Sequence, residues 1–122
     1  MIQEQTLLKI IDNSGARVAK CIKILKGSKK IYAKIGDLIK VVVKNSNINS
    51  KIKKGQIFKA IIVRTKFPFK RNDGTSLSFN DNAIILLNNQ NQMIGTRVFG
   101  VLAKEIKNVY FNKLISLSNE LV

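Results

Sequence analysis

Short apolar runs separated by turn residues constrain the fold of this chain more than any other feature of its sequence. The runs cover residues 6–11, 18–25, 38–43, 57–65, 76–79 and 83–87, and they are rich in the β-branched residues that favour strands. Each run is short for a helix, and most are bounded by Gly, Asn, Asp or Ser. We therefore predict five or six strands that close into a small barrel, because closure removes the exposed edges of a sheet.

Three turn motifs indicate where the chain reverses. Residues 12–15 (DNSG) combine side-chain acceptors with a permissive glycine, which ends the first strand. The pair Asp73-Gly74 is typical of a β-hairpin, because Asp-Gly readily adopts the positive φ angles that short hairpins need. Residues 26–30 (KGSKK) predict a further hairpin that projects from the barrel and carries positive charge at its tip.

The run 18–25 alternates as a half-exposed strand should. Strict alternation places Val18, Lys20, Ile22 and Ile24 on one face of the strand, and Ala19, Cys21, Lys23 and Leu25 on the other. Cys21 is the chain's one cysteine, and its apolar neighbours predict a reduced, buried thiol.

The period of the apolar residues changes after Gly95. Spacings of three and four predict one or two short C-terminal helices that lay an apolar stripe on the barrel, with Lys113 at its border: Ile106, Val109, Tyr110, Lys113, Leu114 and Leu117. We thus expect one mainly β domain over residues 1–122, a five-stranded β-barrel with a projecting β-hairpin and short C-terminal helices.

The charge of the chain points to a polyanionic partner. There are 22 Lys and Arg against seven Asp and Glu, a formal net charge of +15, yet 45% of the residues are hydrophobic. A disordered basic tail would not carry so many aliphatic side chains, and a globule with this much self-repulsion needs a polyanion to neutralise it. The composition predicts a folded protein bound to nucleic acid. No apolar run approaches the ~18 residues of a membrane span, so we expect no membrane association.

Catalysis is not expected. The chain has no histidine, its carboxylates are spread along the sequence without forming a pair, and a single cysteine offers no zinc set. The glycines form neither a Walker loop nor a dinucleotide fingerprint. We predict that the protein is not an enzyme and has no cofactor or metal.

Several blocks resemble one family. The sequence DNSGA at 12–16 opens the match, and AIIV at 60–63 is followed at family spacing by Asp73-Gly74, Phe79, Asn82 and Ile85. Further matches are GTRVFG at 95–100 and ISL at 115–117. The chain is similar to large-subunit ribosomal protein fourteen in its bacterial and organellar form, with Ile85 where the family usually has Val.

The resemblance implies a structural role on large-subunit rRNA, at the face that meets the small subunit. It implies bridges to small-subunit rRNA and contact with a neighbouring large-subunit protein, number nineteen, through sheet edges. It also implies a docking site for the ribosome silencing factor at Thr96, Arg97 and Lys113. From the residues alone, Arg97 could instead be a local salt-bridge partner.

Contacts with rRNA should be made by lysine and arginine, because A-form RNA hides its sequence and offers phosphates, 2′-hydroxyls and shape. For each basic residue the alternative is a merely solvated side chain. The candidates are Lys23, Lys29, Lys30, Lys44, Lys51, Lys53, Lys54, Arg64, Lys66, Lys70 and Arg71.

A second function class is a freestanding single-strand-binding barrel, which would stack bases on exposed aromatic side chains. Phe67 and Phe69 suit that role, and the other aromatic residues are expected to lie in the core. The abundance of Lys, Ile and Asn indicates AT-rich coding. We therefore expect the large subunit of a mitochondrial, organelle-encoded ribosome, with an AT-rich bacterial cytoplasm or a plastid as alternatives.

Overall fold

The computed structural model describes residues 2–25, 32–90, 92–95, 98–102 and 120–121. Strands are the regular elements of these residues, and no helix occurs among them. In chain order they are β1 (Leu7–Ile10), β2 (Ala16–Ile24), β3 (Leu38–Ser46), β4 (Ile57–Arg64), β5 (Phe69–Lys70), β6 (Ser76–Leu77), β7 (Ala83–Leu87), β8 (Val101–Leu102) and β9 (Glu120–Leu121). The C-terminal helices and the tip of the projecting hairpin, both expected from the sequence, lie outside the described residues.

Five strands form a closed barrel in the order β1-β2-β3-β4-β7. Neighbours along this order are antiparallel. Closure comes from a parallel pairing of β1 with β7, in which Lys9 lies opposite Ala83 and Ile10 opposite Ile84. The prediction of a five-stranded closed barrel is therefore confirmed.

Inward-pointing side chains fill the barrel. The buried side chains of this barrel cluster are Ala, Val, Leu and Ile together with Cys21, and side chains of this size fill the interior of a narrow barrel. They include Leu8, Ile10, Ala19, Cys21, Ile24, Ile39, Val41, Val43, Ala60, Ile62, Ile84 and Leu86.

The strict alternation predicted for β2 is wrong at Lys23, which lies on the outside, and at Ile24. The register shifts between Cys21 and Lys23, so that Cys21 lies opposite Val41 while Lys23 lies opposite Lys40. Ile22 is the extra residue of a β-bulge and is 38% exposed. As a result Ile24 shares the barrel interior with Cys21 instead of the outer surface with Ile22.

A second apolar cluster lies on the outside of the barrel. Its barrel members are Ile61 and Val63 of β4 and Ala83, Ile85 and Leu87 of β7, which we call the covered face. Val98 and Leu102 pack in the same cluster, and all five residues of β7 are buried. The N–H of Phe99 donates to the carbonyl of Ile11 at 2.8 Å, which ties residues 98–102 to the barrel.

Strands β5 and β6 form the hairpin predicted from Asp73-Gly74. Gly74 has a φ of 89°, and its N–H donates to the carbonyl of Arg71 at 3.0 Å. Asp73 Oδ1 accepts hydrogen bonds from the N–H and the hydroxyl of Thr75, and these bonds lower the pKa of Asp73. Glycine is needed here because a side chain disfavours this backbone conformation.

Candidate nucleic-acid interface

Most of the lysines predicted to contact phosphate are exposed where the structure describes them. Arg64 and Arg71 are half-buried. The exposed candidates are Lys23, Lys44, Lys51, Lys53, Lys54, Lys66 and Lys70. Lys29, Lys30, Thr96, Arg97 and Lys113 lie outside the described residues.

The basic loop between β3 and β4 is tied to the barrel rather than loosely attached. Ile52 is 5% exposed and belongs to the barrel cluster, while its neighbours Lys51 and Lys53 face solvent. The N–H of Lys53 donates to the side chain of Gln56 at 2.8 Å, and the N–H of Gly55 donates to the carbonyl of Val43 at 2.8 Å. Three lysine heads are thus presented from a loop whose backbone is already ordered, which lowers the entropic cost of binding a polyanion.

An open hollow of about 400 Å³ lies beside this loop. Arg17 Nε donates to Asn47 Oδ1 at 2.7 Å, so the guanidinium is held along one wall. Asn45, Ser46, Asn49 and the fully exposed Ile48 line the rest. Sequence reasoning missed Arg17, because its hydrogen bond to Asn47, 30 residues away, depends on the pairing of β2 with β3.

A second basic segment follows β4. The N–H of Lys66 donates to Asn82 Oδ1 at 2.8 Å, and the hydroxyl of Thr65 donates to the carbonyl of Phe67. These bonds fix the turn that leads into the β5–β6 hairpin, where Lys70 is exposed. Phe67 is 52% exposed in this basic segment.

Arg64 is engaged by a carboxylate. Its Nε lies 3.2 Å from Asp81 Oδ1 and its Nη2 lies 3.3 Å from Asp81 Oδ2, and the arginine side chain is only 14% exposed. Lys9 Nζ approaches the same carboxylate at 3.9 Å. A half-buried, paired guanidinium favours a role in joining β4 to the start of β7 over a contact with phosphate.

The aromatic side chains are less buried than expected. Tyr32 is 47% exposed and Phe99 is 50% exposed, so the expectation that all aromatic residues other than Phe67 and Phe69 lie in the core is wrong for these two. Tyr32, Phe67 and Phe99 belong to three separate segments of the chain.

Sequence reasoning also missed Lys40 and Lys59, which sit inside strands β3 and β4. Lys40 lies opposite both Lys23 of β2 and Lys59 of β4. Lys40 is exposed and Lys59 is half-buried. The spacing of lysines along the chain carries no signal for this alignment, because it depends on the register between strands.

The two most buried titratable groups are Asp12 and Cys21, and their contacts are structural. Asp12 Oδ2 accepts the N–H of Leu86 at 3.2 Å and Oδ1 accepts the N–H of Ser14 at 3.1 Å, and burial raises the pKa of Asp12. Burial also raises the pKa of the Cys21 thiol to about 11, with a smaller contribution from the charge of Glu4. Within the described part of the chain, no three His, Cys, Asp or Glu side chains could hold a metal, and no helix could span a membrane.

Comparison with known proteins gives matches over the full length of the chain. The family model for ribosomal protein L14p/L23e matches residues 1–122. The large ribosomal subunit protein uL14 of the bacterium Carsonella ruddii (strain PV) is 61% identical over 122 residues, which are the whole of both chains. Because this relative is bacterial, it gives no support to the expectation of a mitochondrial origin.

Proposed function

The chain belongs to the ribosomal protein L14p/L23e family, and we propose that it binds large-subunit rRNA through the lysines on the outside of its barrel. A protein of this family is a structural constituent of the large ribosomal subunit and not an enzyme. The proposal concerns how it is held there: by phosphate contacts from ordered basic segments, without reading base sequence.

The observation that carries this proposal is the loop between β3 and β4. Buried Ile52 and the hydrogen bonds of Lys53 and Gly55 fix its backbone, and Lys51, Lys53 and Lys54 all point to solvent. Lysine suits the task because its ammonium group is a point charge that binds phosphate in many geometries. Lys23, Lys44, Lys66, Lys70 and Arg71 extend the same chemistry, and we propose the same role for Lys29 and Lys30, which lie outside the described residues. Arg64 is not counted among these phosphate contacts, because its bond to Asp81 joins β4 to the start of β7.

The experiment is a salt titration of binding to a transcript of the large-subunit rRNA. We expect affinity to fall steeply with salt, because each neutralised phosphate releases about one counterion. The double variant Lys53→Gln with Lys54→Gln should reduce the slope of log affinity against log salt by about 1.4 to 1.8. Lys53→Arg with Lys54→Arg, which changes the same two residues without changing charge, is the control. A flat salt response of the unmodified protein would overturn the proposal.

We further propose that Thr96, Arg97 and Lys113 serve the subunit interface, where small-subunit rRNA and the ribosome silencing factor approach. Family membership supports this assignment, as it supports contact with large-subunit protein nineteen. Charge reversal, Arg97→Glu with Lys113→Glu, should leave large-subunit assembly near normal and weaken joining to small subunits or capture by the silencing factor on gradients. Loss of the variant from assembled large subunits, with normal joining of the remainder, would contradict this role.

A freestanding single-strand-binding barrel is the alternative function, and the exposed Phe67 in a basic segment is the observation that favours it. Sedimentation of a cell extract separates the two. A ribosomal constituent travels almost entirely with large subunits, whereas a freestanding binder remains in the light fractions.

A further inference from the structure

We infer that Lys23, Lys40 and Lys59, the lysine row, hold one continuous stretch of RNA phosphate backbone across the outer surface of the barrel. The inference rests on the proposed rRNA binding and adds two residues, Lys40 and Lys59, that the sequence did not indicate. Lys23 lies directly opposite Lys40, and Lys40 directly opposite Lys59, on three neighbouring strands. With strands about 4.8 Å apart, the row spans about 10 Å.

The β-bulge in β2 is what completes the row. Regular pairing beyond Cys21 and Val41 would bring Ile22 opposite Lys40, but the extra residue moves Lys23 into that place. Ile22 and Lys23 both remain on the outside, where Ile22 is 38% exposed. Bulges are common beside binding sites because they redirect a side chain without breaking the sheet. In β2 the bulge redirects Lys23, which adds a third positive charge to the row.

The alignment is unfavourable for the free protein. Like charges directly opposite each other on neighbouring strands destabilise a sheet, and Lys40 faces one on each side. None of the three lysines forms an ion pair with a carboxylate in the part of the chain that the structure describes. A surface that only had to stay solvated could place an acid or a neutral side chain at the central position. A polyanion that lies along the row would turn the repulsion into binding.

RNA backbone fits the row better than an acidic protein segment. The three lysines are in register across neighbouring strands, and a nucleic-acid strand presents its charges at regular spacing along its backbone. The chain's net charge of +15 also exceeds what one acidic segment would neutralise. Lysine heads on flexible stems can follow such a strand without fixed geometry.

The test measures stability of the free protein and binding to the large-subunit rRNA transcript with the same variants. Lys40→Gln should raise the midpoint of thermal unfolding by about 1 to 5 °C, because it removes two like-charge contacts. The same variant should weaken RNA binding. Lys44→Gln, an exposed lysine of the same strand, is the stability control and should leave the midpoint unchanged.

For binding, the triple variant of Lys23, Lys40 and Lys59 to Gln should lower the salt slope by about 2 to 3, since each phosphate contact contributes about 0.7 to 0.9. Lys34→Gln, an exposed lysine in the turn before β3, is the binding control. If the triple variant binds like Lys34→Gln while Lys53→Gln with Lys54→Gln binds weakly, the inference fails and the proposed rRNA binding stands. If the triple variant binds the transcript with normal affinity but is lost from assembled large subunits, the row contacts an acidic protein instead. This result would also overturn the inference. No salt-dependent binding by the unmodified protein would overturn the proposed function itself.

Discussion

The two ends of strand β4 differ on the outside of the barrel, because one end is covered by other residues and the other is exposed to solvent. Ile61 near its C-terminal end is fully buried in the covered face, where Leu87 and Leu102 pack in the same cluster. Ile57, four residues earlier and on the same side of the strand, is 56% exposed. Lys59 lies between them and is half-buried.

The difference divides the outer surface of this barrel into a covered part and an open part. At the covered face, residues 98–102 supply a second core and convert outward-facing apolar side chains into buried ones. At the open end, the outward-facing positions carry lysines and isolated apolar residues, which is the composition of a surface that meets a charged partner. The inner side of β4 is apolar along its length, because Phe58, Ala60 and Ile62 all pack in the barrel cluster.

The largest expected effect compares one substitution at both ends of β4. Ile61→Ala should lower the free energy of unfolding by about 2 to 5 kcal/mol, because it removes buried methylene groups and leaves a cavity. Ile57→Ala should cost about 1 kcal/mol or less, because that side chain is largely in water. Denaturant unfolding of both variants measures the difference. Equal losses would mean that the two ends are not in different surroundings.

Asp12 gives the second prediction, because it links the first turn to β7 beside the covered face. Asp12→Ala should cost about 1 to 3 kcal/mol, since the buried N–H of Leu86 loses its acceptor. Asp73→Ala removes an exposed turn carboxylate and is the control, with a smaller loss. A loss at Asp12 no greater than at Asp73 would contradict the buried hydrogen bond.

The effect of Asp12 should also depend on pH. Its pKa in the folded protein is raised above the ordinary value of 3.8, so the folded state holds the proton more tightly than the unfolded state. The contribution of Asp12 to stability is therefore fully present below the ordinary pKa and is lost as pH rises through the raised one. We expect the loss caused by Asp12→Ala to be greater near about pH 4 than near about pH 7. A loss that is independent of pH would contradict the raised pKa.

The smallest expected effect concerns the β5–β6 hairpin, because no other part of the described structure packs on its turn at Gly74. A Cβ at Gly74 would meet nothing within 4 Å, so Gly74→Val should destabilise the protein only through the backbone, by about 1 to 2 kcal/mol. Gly74→Asn should cost less, because asparagine enters this conformation more readily. Thermal unfolding of both variants makes the comparison. An unchanged midpoint for Gly74→Val would mean that the β5–β6 hairpin contributes nothing to stability.

Much of the fold could be predicted because it follows from local patterns. The apolar run at 83–87 became β7 with the same bounds, and the turn at Asp73-Gly74 formed the expected hairpin. The bulge at Ile22 could not be predicted, since an extra residue leaves no mark in a single alternating run. Because of the bulge, Ile24 lies on the opposite face of β2 from the one predicted.

The candidate site could be predicted only where charge is concentrated along the chain. The cluster at residues 51–54 is visible in the sequence, and the structure presents it to solvent. Lys40 and Lys59 were missed because each is a single lysine in an apolar strand and gains significance from its partners across the sheet. Arg64 carries the same charge as the lysines, but its pairing with Asp81, 17 residues away, depends on the fold.

The parallel pairing that closes the barrel also determines when the fold can be completed during synthesis. Asp12 and Leu86 are joined across 74 residues of sequence, and β1 has its second partner only in β7. Until residue 87 is available, β1 and β4 each keep an unpaired edge, which is a template for association with other chains. Contacts this distant in sequence also form slowly. Mutual repulsion between highly positive nascent chains opposes such association during this interval, so the net charge of +15 keeps the incomplete barrel from aggregating before it meets the polyanion proposed above.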